Sequence, residues 1–244
     1  MSFANDSGNP YQSFGVIAAD AAVDERVDFI RKTYLHLGGA IAAFAAIETV
    51  LINSPLAPAM TLAIFSTGYG WFIMLGGFML VSWIANSWAN SSTSVGMQYA
   101  GLSLYVVAEA IIFVPLLYMA HLYGTEVGAN VIGTSALITA VLFGGLTAIV
   151  FTTKADFSFL RTALMLAGVA AMGFVLCSML FGFNLGTIFT VAMIVFACGY
   201  ILYYTSNVLH HYRIGQHVAA SLALFASVAL LLYYVVMLVM GSRD

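Results

Sequence analysis

Charge is what this chain has least of. Only 7% of its 244 residues are Asp, Glu, Lys or Arg, while 62% are hydrophobic, and the formal net charge is −3. A soluble domain carries about 25% charged residues. A water-facing surface cannot be covered from so few, and no basic patch is available for a nucleic-acid partner. The two cysteines, Cys177 and Cys198, both sit inside apolar runs, so there is neither a disulfide framework nor a metal-ligand spacing. The only lysines are Lys32 and Lys154; neither lies in the last apolar run, which excludes a retinal-type Schiff base there. No glycine-rich phosphate loop precedes a helix, and no nucleophile has a recognisable base beside it. The chain is therefore not read as an enzyme, and no cofactor or bound metal is expected. Residues 1–22 lack the basic start and apolar centre of a cleavable signal peptide.

What the chain does have is long apolar runs and a mean hydropathy of +1.00. About twenty apolar residues in a helix rise about 30 Å, the thickness of a bilayer's hydrocarbon core. Barrel strands would alternate, and these runs are continuous. The predicted fold class is an all-α polytopic membrane protein with seven transmembrane helices. The predicted spans are Thr33–Ile52, Ile64–Ala85, Gln98–Tyr118, Asn130–Phe151, Leu160–Phe181, Leu185–Ser206 and Val218–Met240. Pro55 and Pro58 mark the first break, because proline resists continuing a helix. Gly182-Phe183-Asn184 alone divides the fifth span from the sixth. Residues 1–19 read as a disordered tail, since their composition cannot bury enough apolar surface to order them. Residues 20–32 read as an amphipathic juxtamembrane helix carrying Val23, Val27 and Ile30, with acids early and Arg31-Lys32 late, as the helix dipole favours. Residues 33–244 form the transmembrane domain.

Six of the seven basic residues fall on the tail's side of this topology, the exception being Arg243. The positive-inside rule then predicts a cytoplasmic N-terminus and an outside C-terminus. Gly38-Gly39, Gly76-Gly77, Gly144-Gly145, Gly168 and Gly173 mark faces where helices are expected to approach closely.

Two acids break the apolar rule. Glu48 lies in the first span and Glu109 in the third. A charge at mid-bilayer costs roughly 2.5–3.5 kcal/mol, so such acids are expected to face a protein interior or water. Both spans run in the same direction and place the acids at similar depth. If they converge, they form a candidate intramembrane ion or proton site. The bland alternative is that each is a carboxylic acid bonded to a neighbouring helix. His36, one turn into the first span, reads as an interfacial or packing histidine. His210, His211 and His217 read as a solvated turn, with pH sensing the lesser alternative.

Three stretches carry a resemblance: FIRKTYLHLGGAI at Phe29–Ile41, QYAGLSLYVVAEAIIFVPLL at Gln98–Leu117, and the hairpin YYTSNVLHHY…ASLALFASVALL that begins at Tyr203. In this order and spacing they resemble the Bax inhibitor-1 (TMBIM) superfamily and, within it, the bacterial YccA-like branch. The resemblance covers Phe29 to Met240. It implies seven helices with the last in the middle of the other six, in an inner membrane. It also implies either proton-sensitive calcium leak or, in YccA-like members, regulation of a membrane protease of the FtsH type. Calcium-leaking members carry an aspartate pair where this chain has Tyr204 and Ser227. Tyrosine titrates ordinarily near pH 10 and does not replace a carboxylate as a switch near neutrality. Two functions stay open on these grounds: a cation (calcium) leak pathway using Glu48 and Glu109, and a non-conducting regulatory protein that engages a protease through its tail.

Overall fold

A computed structural model describes residues 15–67 and 69–242 of the chain. The described residues form eight helices: α1 (Val23–Ile52), α2 (Leu56–Phe65), α3 (Gly70–Ala89), α4 (Val95–Glu126), α5 (Val131–Thr153), α6 (Leu160–Phe181), α7 (Gly186–His210) and α8 (His217–Gly241). All but α2 are long and apolar enough to cross a membrane, which makes this a multi-pass membrane protein with seven candidate spans.

Local chemistry sets the helix ends. Ser94 caps α4 by accepting from Met97 N–H at 3.2 Å, and Asn130 caps α5 by accepting from Gly133 N–H at 2.9 Å. Gly182, at φ 69°, closes α6 in the left-handed conformation that glycine adopts without strain. The three-residue divide between the fifth and sixth spans is thus a true helix stop. Lys154, at φ 52°, ends α5 in the same way without being glycine.

Several expectations are corrected. The predicted second span, Ile64–Ala85, straddles two helices. α2 ends at Phe65, and the chain folds back into α3 at Gly70, where an added Cβ would clash with the Ile64 carbonyl oxygen. Phe65 packs edge-on against Trp71 at 5.9 Å and fixes the fold-back. The juxtamembrane helix, consistent with its expected place before the first span, runs into it without a break as α1, and its Val23 and Val27 are exposed. The predicted third span, Gln98–Tyr118, is longer at both ends, since α4 runs from Val95 to Glu126.

Of the expected tail, residues 1–14 lie outside the described residues. Residues 15–19 are not a free segment. Gly15 N–H donates to Ile214 C=O (2.9 Å), Ile214 N–H to Val16 C=O (2.9 Å), and Ala18 N–H to Tyr212 C=O (2.8 Å). Ala18 is fully buried, and Arg26 reaches back to the Ala19 carbonyl at 3.0 Å. The α7–α8 turn supplies the unpaired backbone groups that this segment completes, which composition alone does not reveal.

Burial concentrates in α4 and α8. α8 packs on α1, α3, α4, α5 and α7, whereas α6 packs principally on α7. Aromatic rings tie the core together. Phe44 of α1 meets Phe113 of α4 (5.1 Å) and Phe225 of α8 (5.9 Å), and Phe113 meets Tyr233 of α8 (5.4 Å). Lipid is as apolar as these side chains, so close packing rather than water exclusion holds such helices together.

The expected glycine faces are mostly elsewhere. Added Cβ atoms at Gly38, Gly39, Gly76, Gly77, Gly144, Gly145 and Gly173 would meet nothing within 4 Å; only Gly168 has near neighbours, Phe196 at 3.4 Å and Tyr200 at 3.7 Å. The close backbone approach is at Gly101 of α4, where a Cβ would lie 2.5 Å from both Ala85 O and Ala89 N of α3. A glycine pair permits approach, but burial decides which face meets a neighbour.

Candidate functional site

The spans alternate between two ends of the bundle. At the tail end lie residues 15–19, the α5–α6 loop and the α7–α8 turn. At the other end lie α2, the α6–α7 loop and the last residues of α8.

A cavity of about 990 Å³ lies in the half of the bundle nearer that other end. Its rim includes Phe65, Trp71, Leu185 and Gly241, and its deeper walls come from α3, α4, α6, α7 and α8. Phe113, Phe189, Phe196, Tyr200 and Tyr233 supply much of the lining. Glu109, near the middle of α4, is the one carboxylate that lines it. Its residue exposure is 6%, and its Oε2 has no hydrogen-bond partner.

Glu48 is also buried, at 3% exposure, and neither of its carboxyl oxygens has a partner among the described residues. Both acids thus face the protein interior, as expected. They do not form a hydrogen-bonded pair, and Glu48 does not line the cavity that Glu109 lines. Glu48 is one turn past Phe44 and Glu109 one turn before Phe113, so the acids flank that ring contact. The expectation that each acid bonds to a neighbouring helix is not met by Glu48 or by Oε2 of Glu109. An unpaired buried carboxylate is costly, and a cation or a proton removes that cost.

Tyr204 stacks on Tyr200 of the cavity wall, with centroids 5.7 Å apart and planes 12° apart. Ser227 of α8 is buried, and its hydroxyl donates to Ala223 C=O of its own helix at 2.8 Å. Neither side chain makes an ion pair across α7 and α8.

The histidines are more engaged than the sequence suggests. His36 bonds to Tyr99 Oη through Nε2 (2.9 Å), and its ring lies 5.0 Å from that of His217. His210 Nε2 is buried without a partner. His211 pairs with Asp156 of the α5–α6 loop at 3.1 Å.

Asp156 is a residue that sequence reasoning missed. Its Oδ1 accepts from Ser158 N–H at 2.8 Å and from the Ser206 hydroxyl at 3.3 Å. Ser206 in turn accepts from Phe157 N–H at 2.9 Å. The loop is thereby latched to the end of α7. Hydrogen bonds from Ser158, backbone first, and the facing His211 hold the Asp156 carboxyl down at about 2. The Asp-x-Ser pattern was a readable turn signal, but its partners His211 and Ser206 are about fifty residues away. Among the described residues no three His, Cys, Asp or Glu side chains gather as metal ligands.

Seven apolar helices, a core built on α4 and α8, and a buried acid lining a cavity define a polytopic helical membrane protein with one end hollowed. The family model described as "Inhibitor of apoptosis-promoting Bax1" matches residues 26–244, and the chain belongs to that family. It is also similar to an uncharacterized protein of Pseudomonas aeruginosa, with 28% identity over 160 residues, 64% of this chain and 68% of the relative. No solved structure matches the chain.

Proposed function

We propose that this protein is a cation leak pathway of the Bax inhibitor-1 type, with calcium among the ions it passes. The observation that carries this reading is Glu109: a buried carboxylate with an unpartnered oxygen, at mid-helix, on the wall of a large cavity. Calcium takes six to eight oxygen ligands. Glu109 is a single carboxylate, so an ion held there is completed largely by water; such a weak, exchangeable site suits conduction because ions must leave. Glu48 is a second acid for the path rather than a partner in one chelate. The distribution of basic residues supports a cytoplasmic tail, with the cavity in the outer half of an inner-membrane bundle. Calcium and potassium flux into proteoliposomes, at acidic and mildly alkaline pH, tests the proposal. Calcium entry faster than in protein-free vesicles is expected; no excess of either ion would reject it.

A second reading, a YccA-like regulator of a membrane protease, has one observation in its favour. Residues 15–18 fix the root of the N-terminal segment beside the α7–α8 turn, where a partner at the same membrane face would meet it. Co-purification with the protease, with and without residues 1–14, separates the two readings.

A further inference from the structure

The cavity has more apolar wall than ion passage requires. Its volume is about 990 Å³, the upper end of the roughly 300–1,000 Å³ typical of small-molecule sites. Phenylalanines 113, 189 and 196 and methionines 172, 179 and 193 line it, and no Lys, Arg or His does. Glu109 is the one acid on this wall, more than nine-tenths buried, its Oε2 sealed in without a hydrogen-bond partner.

These features select the occupant by charge. A phosphate or carboxylate headgroup would find no cation on the wall and would meet Glu109. A plain alkyl chain would fill the space and leave the Glu109 oxygen unpaired, at the cost that burying such a group carries. An ammonium on an apolar body answers both surfaces. Its N–H makes a charge-assisted bond to the carboxylate, the faces of Tyr200 and Tyr233 attract the cation, and the phenylalanines take the body. We propose that this cavity binds lipophilic amines, with Glu109 as the ammonium's counter-ion. The site shares Glu109 with the proposed cation path but does not require that any ion passes.

Trp71 lies on the cavity rim, while Trp83 and Trp88 are outside it. The double variant Trp83→Phe, Trp88→Phe therefore leaves one tryptophan that reports on the site. The full chain in lipid nanodiscs is titrated with a brominated long-chain primary alkylamine, which quenches tryptophan on contact. The alcohol and the carboxylate of the same brominated chain serve as neutral and anionic counterparts. Saturable quenching by the amine is expected, with the alcohol weaker and the carboxylate showing only unsaturable partitioning. Glu109→Gln is expected to weaken amine binding roughly tenfold or more, as loss of a hydrogen bond to a charged group implies. Equal quenching by all three headgroups, or amine binding unchanged in Glu109→Gln, would overturn the proposal. Should that variant fail to fold, Ala171→Phe narrows the cavity and keeps the carboxylate; undiminished amine binding there would overturn it equally. Saturable amine binding without ion flux would sustain this site and remove the pathway, and flux without saturable binding would do the reverse.

Discussion

Gly101 offers the sharpest test of the packing. A methyl group there would sit 2.5 Å from Ala85 O, 2.5 Å from Ala89 N and 3.0 Å from the Trp88 Cβ. An ordinary contact begins near 3.4 Å, so Gly101→Ala must push α3 and α4 apart by about 0.9 Å, and two of the obstacles are backbone that cannot rotate away. Overpacking of this kind costs about 1–3 kcal/mol, and backbone obstacles place it at the upper end. Alanine's better helix propensity returns up to about 1 kcal/mol, leaving a net loss of about 2 kcal/mol. For a chain of this size that lowers Tm by about 4–8 °C. Gly144→Ala is the control: nothing lies within 4 Å of its added methyl, so only the propensity gain remains, and Tm is expected to hold or rise. Thermal unfolding followed by circular dichroism in one detergent compares the two. A Gly101→Ala variant as stable as wild type, or equal losses in both, would refute the α3–α4 packing described here.

Three further outcomes are expected. Deleting residues 1–14 should leave Tm unchanged. Deleting residues 1–19 should lower stability by roughly 1–3 kcal/mol, because three backbone hydrogen bonds at about 1 kcal/mol each are lost; equal melting of the two truncations would reject the pinned root. Asp156 has its carboxyl lowered to about 2 from an ordinary 3.8 in the folded chain. Its contribution is therefore fully present above about pH 4 and fades as pH falls through that value towards 2. The group is largely exposed, so the effect is below about 1 kcal/mol, and Asp156→Asn should flatten the acid limb of the Tm profile slightly; an unchanged limb would contradict the latch. Tyr204→Asp combined with Ser227→Asp should add pH dependence to any flux, and wild-type flux that already switches steeply near neutrality would contradict the reading of those two positions.

The sequence made the span count and most helix limits legible because apolar runs and their breakers are local features. The fifth predicted span coincides with α6, Leu160–Phe181, and the hairpin helices differ from expectation by a few residues at most. Local reading failed where hydropathy ran across a turn. Ile64 and Phe65 are as apolar as the span they were joined to, and only the fold-back at Gly70 separates them. Which helices form the core was not legible either. α4 and α6 are both apolar on all faces, yet α4 is largely buried and α6 mostly exposed, since lipid imposes no polar stripe. For the same reason the glycine pairs misled, while Gly101, an isolated glycine, carries the close approach of α4 to α3. The buried acids stood out because charge is rare here. Their separate surroundings, and the pairing of Asp156 with His211, depend on contacts between distant parts of the chain.

If Glu109 serves a cation path through the hollowed half of the bundle, removing its charge slows cation entry. The most direct test is the initial rate of calcium entry into proteoliposomes carrying wild type or Glu109→Gln at equal density, with matched Tm. A wild-type rate above protein-free vesicles that falls severalfold in Glu109→Gln is the result expected. Equal rates in the two proteins would contradict it.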